Sequence, residues 1–329
     1  MLARHSFKPN LEFLLNEFRT RRGLYLLGAG ASAGEVPFGE SFMMGPALDY
    51  LRNSGSFPAD IPIQSELNKK IIRIASPLLI SRLFPDRDIR DATDFPYQEL
   101  LRRLPNFHAR FYMKHTLATA RYSGRQSESY RVFRAFRQSL ILNYNLDGLA
   151  SELCGKRHGV IAMHGTVDRE YGSAKSAALL PHLREFDLPV TNDDILMCVP
   201  EDYGGSQLAR RLLTALRFRP DFIAIIGYSF GRNGEKYDDC VSLDFFRSQF
   251  REFSGSVYMI DPQPETLREM IADGLKCQSV SAIRAYWNVL AHVFVQILRG
   301  NCGDKSINYR CEKLLDQYGS GSAFPILGG

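Results

Sequence analysis

The feature that most restricts this chain is a succession of short, wholly apolar runs at residues 24–27, 140–142, 160–163, 195–199, 222–226 and 257–260, with amphipathic stretches between them. Runs of strand length without polar alternation are buried on both faces. That burial implies a largely parallel sheet covered by helices on each side. The stretches 207–216, 242–250 and 265–272 read as the covering helices. Leu11, Leu14, Leu15 and Phe18 recur at helical spacing ahead of the first run, and Trp287, Leu290, Phe294 and Ile297 form one stripe within 285–298. In open sheets of this kind a ligand lies beyond the carboxyl ends of the strands, so the residues following each run are the candidate site.

Residues 40–137 follow a different rule. Their periodicity is mostly helical and is broken by Pro58, Pro62, Pro77, Pro85, Pro96 and Pro105, which reads as a helical insertion. One domain spanning 1–329 is expected. It comprises an N-terminal helix, first strand and glycine loop (1–39), the insertion (40–137), the remainder of the core (138–275), and a C-terminal helix and glycine-rich tail (276–329). With 45% hydrophobic and 23% charged residues, the chain has an ordinary globular composition.

A net charge of +5 suits an anionic nucleotide as ligand. No basic motif with interleaved aromatics accompanies it, so direct nucleic-acid binding is not expected. The six cysteines are scattered without a C-x-x-C pair, which argues against a disulfide framework and against a tetrathiolate zinc site. The N-terminal residues lack the apolar region of a signal peptide, and no run reaches the length of a membrane span. A cytoplasmic location is therefore expected.

Four strand ends carry chemistry. Gly28, Ala29, Gly30, Ala31 and Ser32 form GAGAS after the first run, where small residues let a backbone approach a diphosphate. NYNLDGL at 143–149 places Asn145 and Asp147 at a second strand end. An Asp-Gly turn alone would also write that pattern. VIAMHG at 160–165 ends in His164, a side chain suited to proton relay at a sugar hydroxyl or to an ordinary structural hydrogen bond. IAIIGYSF at 223–230 presents Gly227 and Ser229.

Taken together, in this order and separation, these motifs resemble the sirtuins and their bacterial sirtuin-like NADase relatives. Those carry GAGxS, TQNIDGL, a strand ending in His-Gly, and a GTS-like turn. The resemblance runs over about residues 23–262 and extends to VYMID at 257–261. It implies a Rossmann-like, doubly wound α/β fold that binds NAD+ as substrate. Asn145 would hold the nicotinamide ribose, Asp147 would support its loop, and His164 would lie beside the ribose hydroxyls. The GAGAS loop would face the diphosphate, with Gly227, Ser229 and Asp261 toward the phosphate and adenosine.

Departures from the family pattern narrow the expectation. The two cysteine pairs of the deacylating members are missing, with only Cys198 in that interval, so no zinc ribbon and no metal are expected. Val36, Pro37, Phe38, Gly39 and Glu40 stand where the family has Asp-Phe-Arg, and Asn143 and Tyr144 replace Thr and Gln. Loss of the zinc module undermines the acyl-lysine groove more than NAD+ binding. The resemblance thus implies an NAD+ hydrolase releasing nicotinamide and ADP-ribose, of the kind that depletes NAD+ in bacterial antiphage defence. Such effectors imply a homo-oligomer and a separate sensor, such as a DNA-translocating ATPase or an Argonaute. The rival expectations are an NAD-dependent deacylase or ADP-ribosyltransferase, and a non-catalytic module that binds NAD or ADP-ribose.

Overall fold

The computed structural model describes residues 11–33, 128–155, 158–164, 166–167, 174–175, 209–211, 213–214, 217–230, 232–233, 236–237, 239–265, 275–277 and 279–300. Most of the expected insertion, the run at 195–199, the helix expected at 265–272 past its first residue, and the C-terminal tail lie outside them. Six strands form the central sheet: β1 (Gly23–Leu27), β2 (Leu140–Asn143), β3 (Gly159–Ala162), β4 (Phe222–Ile226), β5 (Ser256–Asp261) and β6 (Ser279–Arg284). They lie in the order β3-β2-β1-β4-β5-β6, and every pairing is parallel. This is the doubly wound order whose direction of travel reverses between β1 and β4, opening a crevice at their carboxyl ends.

The central strands explain themselves physically. Every residue of β1, β2 and β4 is buried, as expected for strands covered on both faces. Two apolar layers result. On one face, Tyr25, Leu27 and Ile141 meet α1 (Leu11–Thr20), α2 (Glu128–Arg131), α3 (Leu149–Leu153) and α5 (Trp287–Leu298). On the other, Leu24, Leu26, Leu142 and Ile225 meet α4 (Cys240–Phe250).

Phe18 anchors the first layer. It stacks on Phe222 at 5.1 Å and meets Tyr25, Phe136, Tyr258 and Phe294 edge-on. Edge-on contact sets the positive rim of one ring against the negative face of another, which adds directional attraction to the burial. Residues 128–136, at the end of the stretch read as an insertion, also belong to this layer through Tyr130, Val132, Phe133 and Phe136.

The sixth strand was not legible in the sequence. In β6 only Ile283 is buried, and Ser279 and Ser281 interrupt the apolar pattern because an edge strand is half open. The described parts of 207–216 are helical. The helix expected at 242–250 starts two residues earlier, at Cys240, because Asp239 caps it by accepting from the Ser242 amide at 3.1 Å.

Candidate functional site at the sheet crevice

The loops after β1 and β4 are in direct contact. Gly28 donates to the Ile226 carbonyl at 3.0 Å and Gly30 to the Gly227 carbonyl at 2.9 Å. Gly227 has φ of +56°, and a Cβ there would sit 2.5 Å from the Gly30 Cα. Only glycine supplies both the backbone angle and the space. The glycines of GAGAS therefore bring two strand ends together. Three of the loop's amides are thus spent on the protein, Gly28 on Ile226, Gly30 on Gly227 and Ala31 on the Gly28 carbonyl at 2.9 Å. Residues 29–32 form a 3-10 turn, with Ala29 exposed and Ser32 buried.

Ser32 is the centre of a buried polar network. Its Oγ lies 2.5 Å from the Tyr130 hydroxyl and donates to Asp147 Oδ2 at 2.7 Å. Asn145 joins it through Nδ2, which faces the Gly28 carbonyl at 2.8 Å and the Ser32 and Tyr130 hydroxyls at 3.2 Å each. A carbonyl only accepts, so this contact fixes which end of the amide is nitrogen. Asn145 Nδ2 thus spends its protons on the protein, and Oδ1 is what the side chain can offer a water or a hydroxyl. Asp147 also accepts from the Leu149 amide at 3.1 Å, so the Asp-Gly turn starts α3 as well as feeding the network. Burial pushes the Asp147 carboxyl up to about 6, against the lowering effect of its bonds from Ser32 and Leu149.

His164 occupies a second cluster at the same edge of the sheet. Asn143 and Ala162 are register partners on β2 and β3, and the ladder continues from the Met163 amide to the Asn143 carbonyl at 2.8 Å. Asn145 and His164 thus each stand two residues past a paired position. Their side chains diverge, however. Asn145 contacts Tyr130 of the first apolar layer. His164 lies edge-on to Tyr144 at 5.4 Å, with Nε2 3.2 Å from Asp239 Oδ2 and 3.3 Å from Ser242 Oγ. Tyr144 stacks on Tyr228 at 4.2 Å, and Tyr228 donates to Asp239 Oδ2 at 2.5 Å. The Tyr144 hydroxyl is buried with no hydrogen-bond partner among the described residues.

Burial by itself would raise the Asp239 carboxyl. The neighbouring imidazole, with hydrogen bonds from His164, Tyr228 and Ser242, outweighs that and holds it below its ordinary value. The remaining sequence candidates lie around the same crevice. Ser229 is exposed just beyond β4. Asp261 ends β5, accepts from the Gln263 amide at 2.8 Å, and is raised by burial. Tyr130, Tyr228, Asp239 and Ser242 were missed by sequence reasoning. An Asp three residues before a Ser at the head of an amphipathic stretch is a capping signal that would have found Asp239. Tyr130 carries no such signal.

Strand order, the reversal between β1 and β4, and the glycine-lined contact there define a Rossmann-like α/β protein. No family model matches the sequence, and neither does any curated protein. Among solved structures, the chain is similar to Sir2 homologues. A Sir2 homologue–NAD complex aligns at 16% identity with a TM-score of 0.41, covering 91% of this chain and 97% of that one. A mutant Sir2 homologue bound to 2′-O-acetyl ADP ribose aligns at 15% identity with a TM-score of 0.37, covering 89% and 98%. Among the described residues, no group of three or more His, Cys, Asp or Glu side chains gathers as a metal site would.

Proposed function

We propose that this protein binds NAD+ across the β1/β4 crevice and hydrolyses the bond between nicotinamide and ribose. The observation that carries the reading is the buried Ser32–Asn145–Asp147 network at the crevice, with His164 on the adjoining strand end. The sirtuin-like motif order of the sequence supplies the ligand class.

The chemistry asks little of the protein. Nicotinamide leaves from NAD+ as a neutral base, so the leaving group needs no proton. The sugar passes through a cation, and water adds to give ADP-ribose, nicotinamide and one released proton. Asn145 Oδ1 orients the attacking water or a ribose hydroxyl. A carboxylate at Asp147 favours the cationic sugar. His164 relays the proton from the ribose or the water.

The wider role follows the same family logic. The chain would act as an NAD+-depleting effector in the cytoplasm, assembled as a homo-oligomer and governed by a separate sensor of the ATPase or Argonaute kind.

The test is incubation of the protein with NAD+, alone and with the product of its neighbouring gene, while nicotinamide and ADP-ribose are followed. Asn145→Ala and His164→Ala should each reduce turnover on the order of a hundredfold or more while folding normally. Full activity in both variants would refute the assignment. Modification of an acyl-peptide or a protein without free ADP-ribose would point to transfer in place of hydrolysis.

A further inference from the structure

The cluster around His164 contains more than a histidine at a strand end requires. Asp239 is 5% exposed, precedes α4, and uses its two carboxylate oxygens differently. Oδ1 accepts from the Ser242 amide at 3.1 Å and caps the helix. Oδ2 faces His164 Nε2 at 3.2 Å and receives the Tyr228 hydroxyl at 2.5 Å. The helix cap fixes the carboxylate, and the carboxylate in turn faces one chosen nitrogen of the ring. Tyr144 closes the ring's edge.

We propose that Asp239 is the positioning residue for His164, holding the proton on Nε2 so that the basic lone pair sits on Nδ1. A carboxylate has acceptors only, so its contact with the ring nitrogen 3.2 Å away is favourable when that nitrogen carries the proton, and the Ser242 hydroxyl 3.3 Å from the same nitrogen can accept from it too. Tyr228 and Ser242 keep that anion in place and satisfied. The inference deepens the hydrolase reading and rests on it only for what the histidine acts upon. The pairing of the two side chains stands independently.

Asp239→Asn discriminates, because asparagine caps helices as well as aspartate does. With its Oδ1 kept on the Ser242 amide, the new Nδ2 donor faces His164 Nε2 and favours the proton on Nδ1, with the Ser242 hydroxyl free to turn and donate to Nε2. Nitrogen-15 spectra of the full chain, with His164→Gln to assign the signals, should show the Nε2–H form in the unaltered protein and the Nδ1–H form in Asp239→Asn. The same tautomer in both would overturn the proposal. In steady-state assays Asp239→Asn should lower kcat at least tenfold with KM within about twofold, Asp239→Glu should recover part of the loss, and adding Asp239→Asn to His164→Ala should cost nothing further. Wild-type kcat in an Asp239→Asn protein, where His164→Ala does abolish turnover, would also overturn it. A tautomer switch without any effect of His164→Ala on nicotinamide release would sink the hydrolase reading and leave the pair intact.

Discussion

The side-chain amide of Asn145 donates to the carbonyl of Gly28 at 2.8 Å, tying the loop after β2 to the loop after β1. Two roles meet in this contact, closure of the crevice and presentation of Oδ1 to a ligand, and two substitutions separate them. Asn145→Ala deletes the donor shared by Gly28, Ser32 and Tyr130 and should cost about 1–3 kcal/mol in denaturant unfolding. Asn145→Asp sets a carboxylate against the Gly28 carbonyl and should cost more than the alanine. Asn145→Ala should lose nicotinamide release on the order of a hundredfold, whereas Asn145→Asp, which keeps an acceptor oxygen, should lose less. An aspartate variant as stable as the alanine would show that the amide does not face Gly28.

Asp147 makes the network sensitive to pH. Its carboxyl rises from 3.8 to about 6 on folding, so the folded state holds the proton more tightly than the unfolded chain. The associated stability is fully present below the unfolded value and is lost as pH rises through the folded one. The loss amounts to about 3 kcal/mol between roughly pH 4 and pH 6. Asp147→Asn removes this titration. Across that window, unfolding free energies of the unaltered protein should fall relative to the variant by about that amount. Parallel profiles would contradict the burial. If the anion supports the cationic sugar, kcat/KM of the unaltered protein should also drop below about pH 6.

Much of this arrangement was legible because position on a strand is written in apolar pattern. β1 to β5 were visible as uninterrupted runs, and Ser32, Asn145, Asp147 and His164 follow such runs directly. β6 was not legible, since an edge strand with Ser279 exposed and Ser281 half-buried need not look apolar. The partners Tyr130 and Asp239 escaped for a different reason. Tyr130 reaches Ser32 across 98 residues of sequence, and no local pattern records a contact made only by the folded chain. The divergence of Asn145 toward Tyr130 and of His164 toward Tyr144 and Asp239 was equally invisible. It depends on side-chain direction after the regular strand has ended.

Gly227 and Gly300 allow backbone strain to be separated from steric contact. Both have positive φ, +56° and +72°, but a Cβ at Gly300 meets nothing within 4 Å, whereas one at Gly227 meets the Gly30 backbone at 2.5 Å. Gly300→Ala should therefore cost only the left-handed backbone, about 1 kcal/mol. Gly227→Ala adds a clash that only movement of the β1 loop relieves, so it should cost at least twice as much. Because the β1 loop carries Ser32, the Gly227 variant should also lose nicotinamide release while the Gly300 variant keeps it. Equal melting shifts for the two would mean that the loops do not touch.

Trp287 connects the far helix to the site. Its ring is 1% exposed beside Phe133 and Phe294, and its Nε1 donates to the Ser129 carbonyl at 2.7 Å. Ser129 immediately precedes Tyr130, so this bond fixes the backbone that delivers the phenol to Ser32 and Asn145. Trp287→Phe retains an aromatic ring in the core but removes the indole hydrogen bond to the Ser129 carbonyl, at a cost of about 0.5–1.5 kcal/mol. Trp287→Ala adds a cavity and should cost about 3–5 kcal/mol. The phenylalanine variant isolates the connection. At a temperature where it remains fully folded, its kcat should fall several-fold, and combining it with Tyr130→Phe should add less than the product of the two single effects. Independent effects would mean that Trp287 serves the core alone and that the position of Tyr130 is set from the Ser32 side.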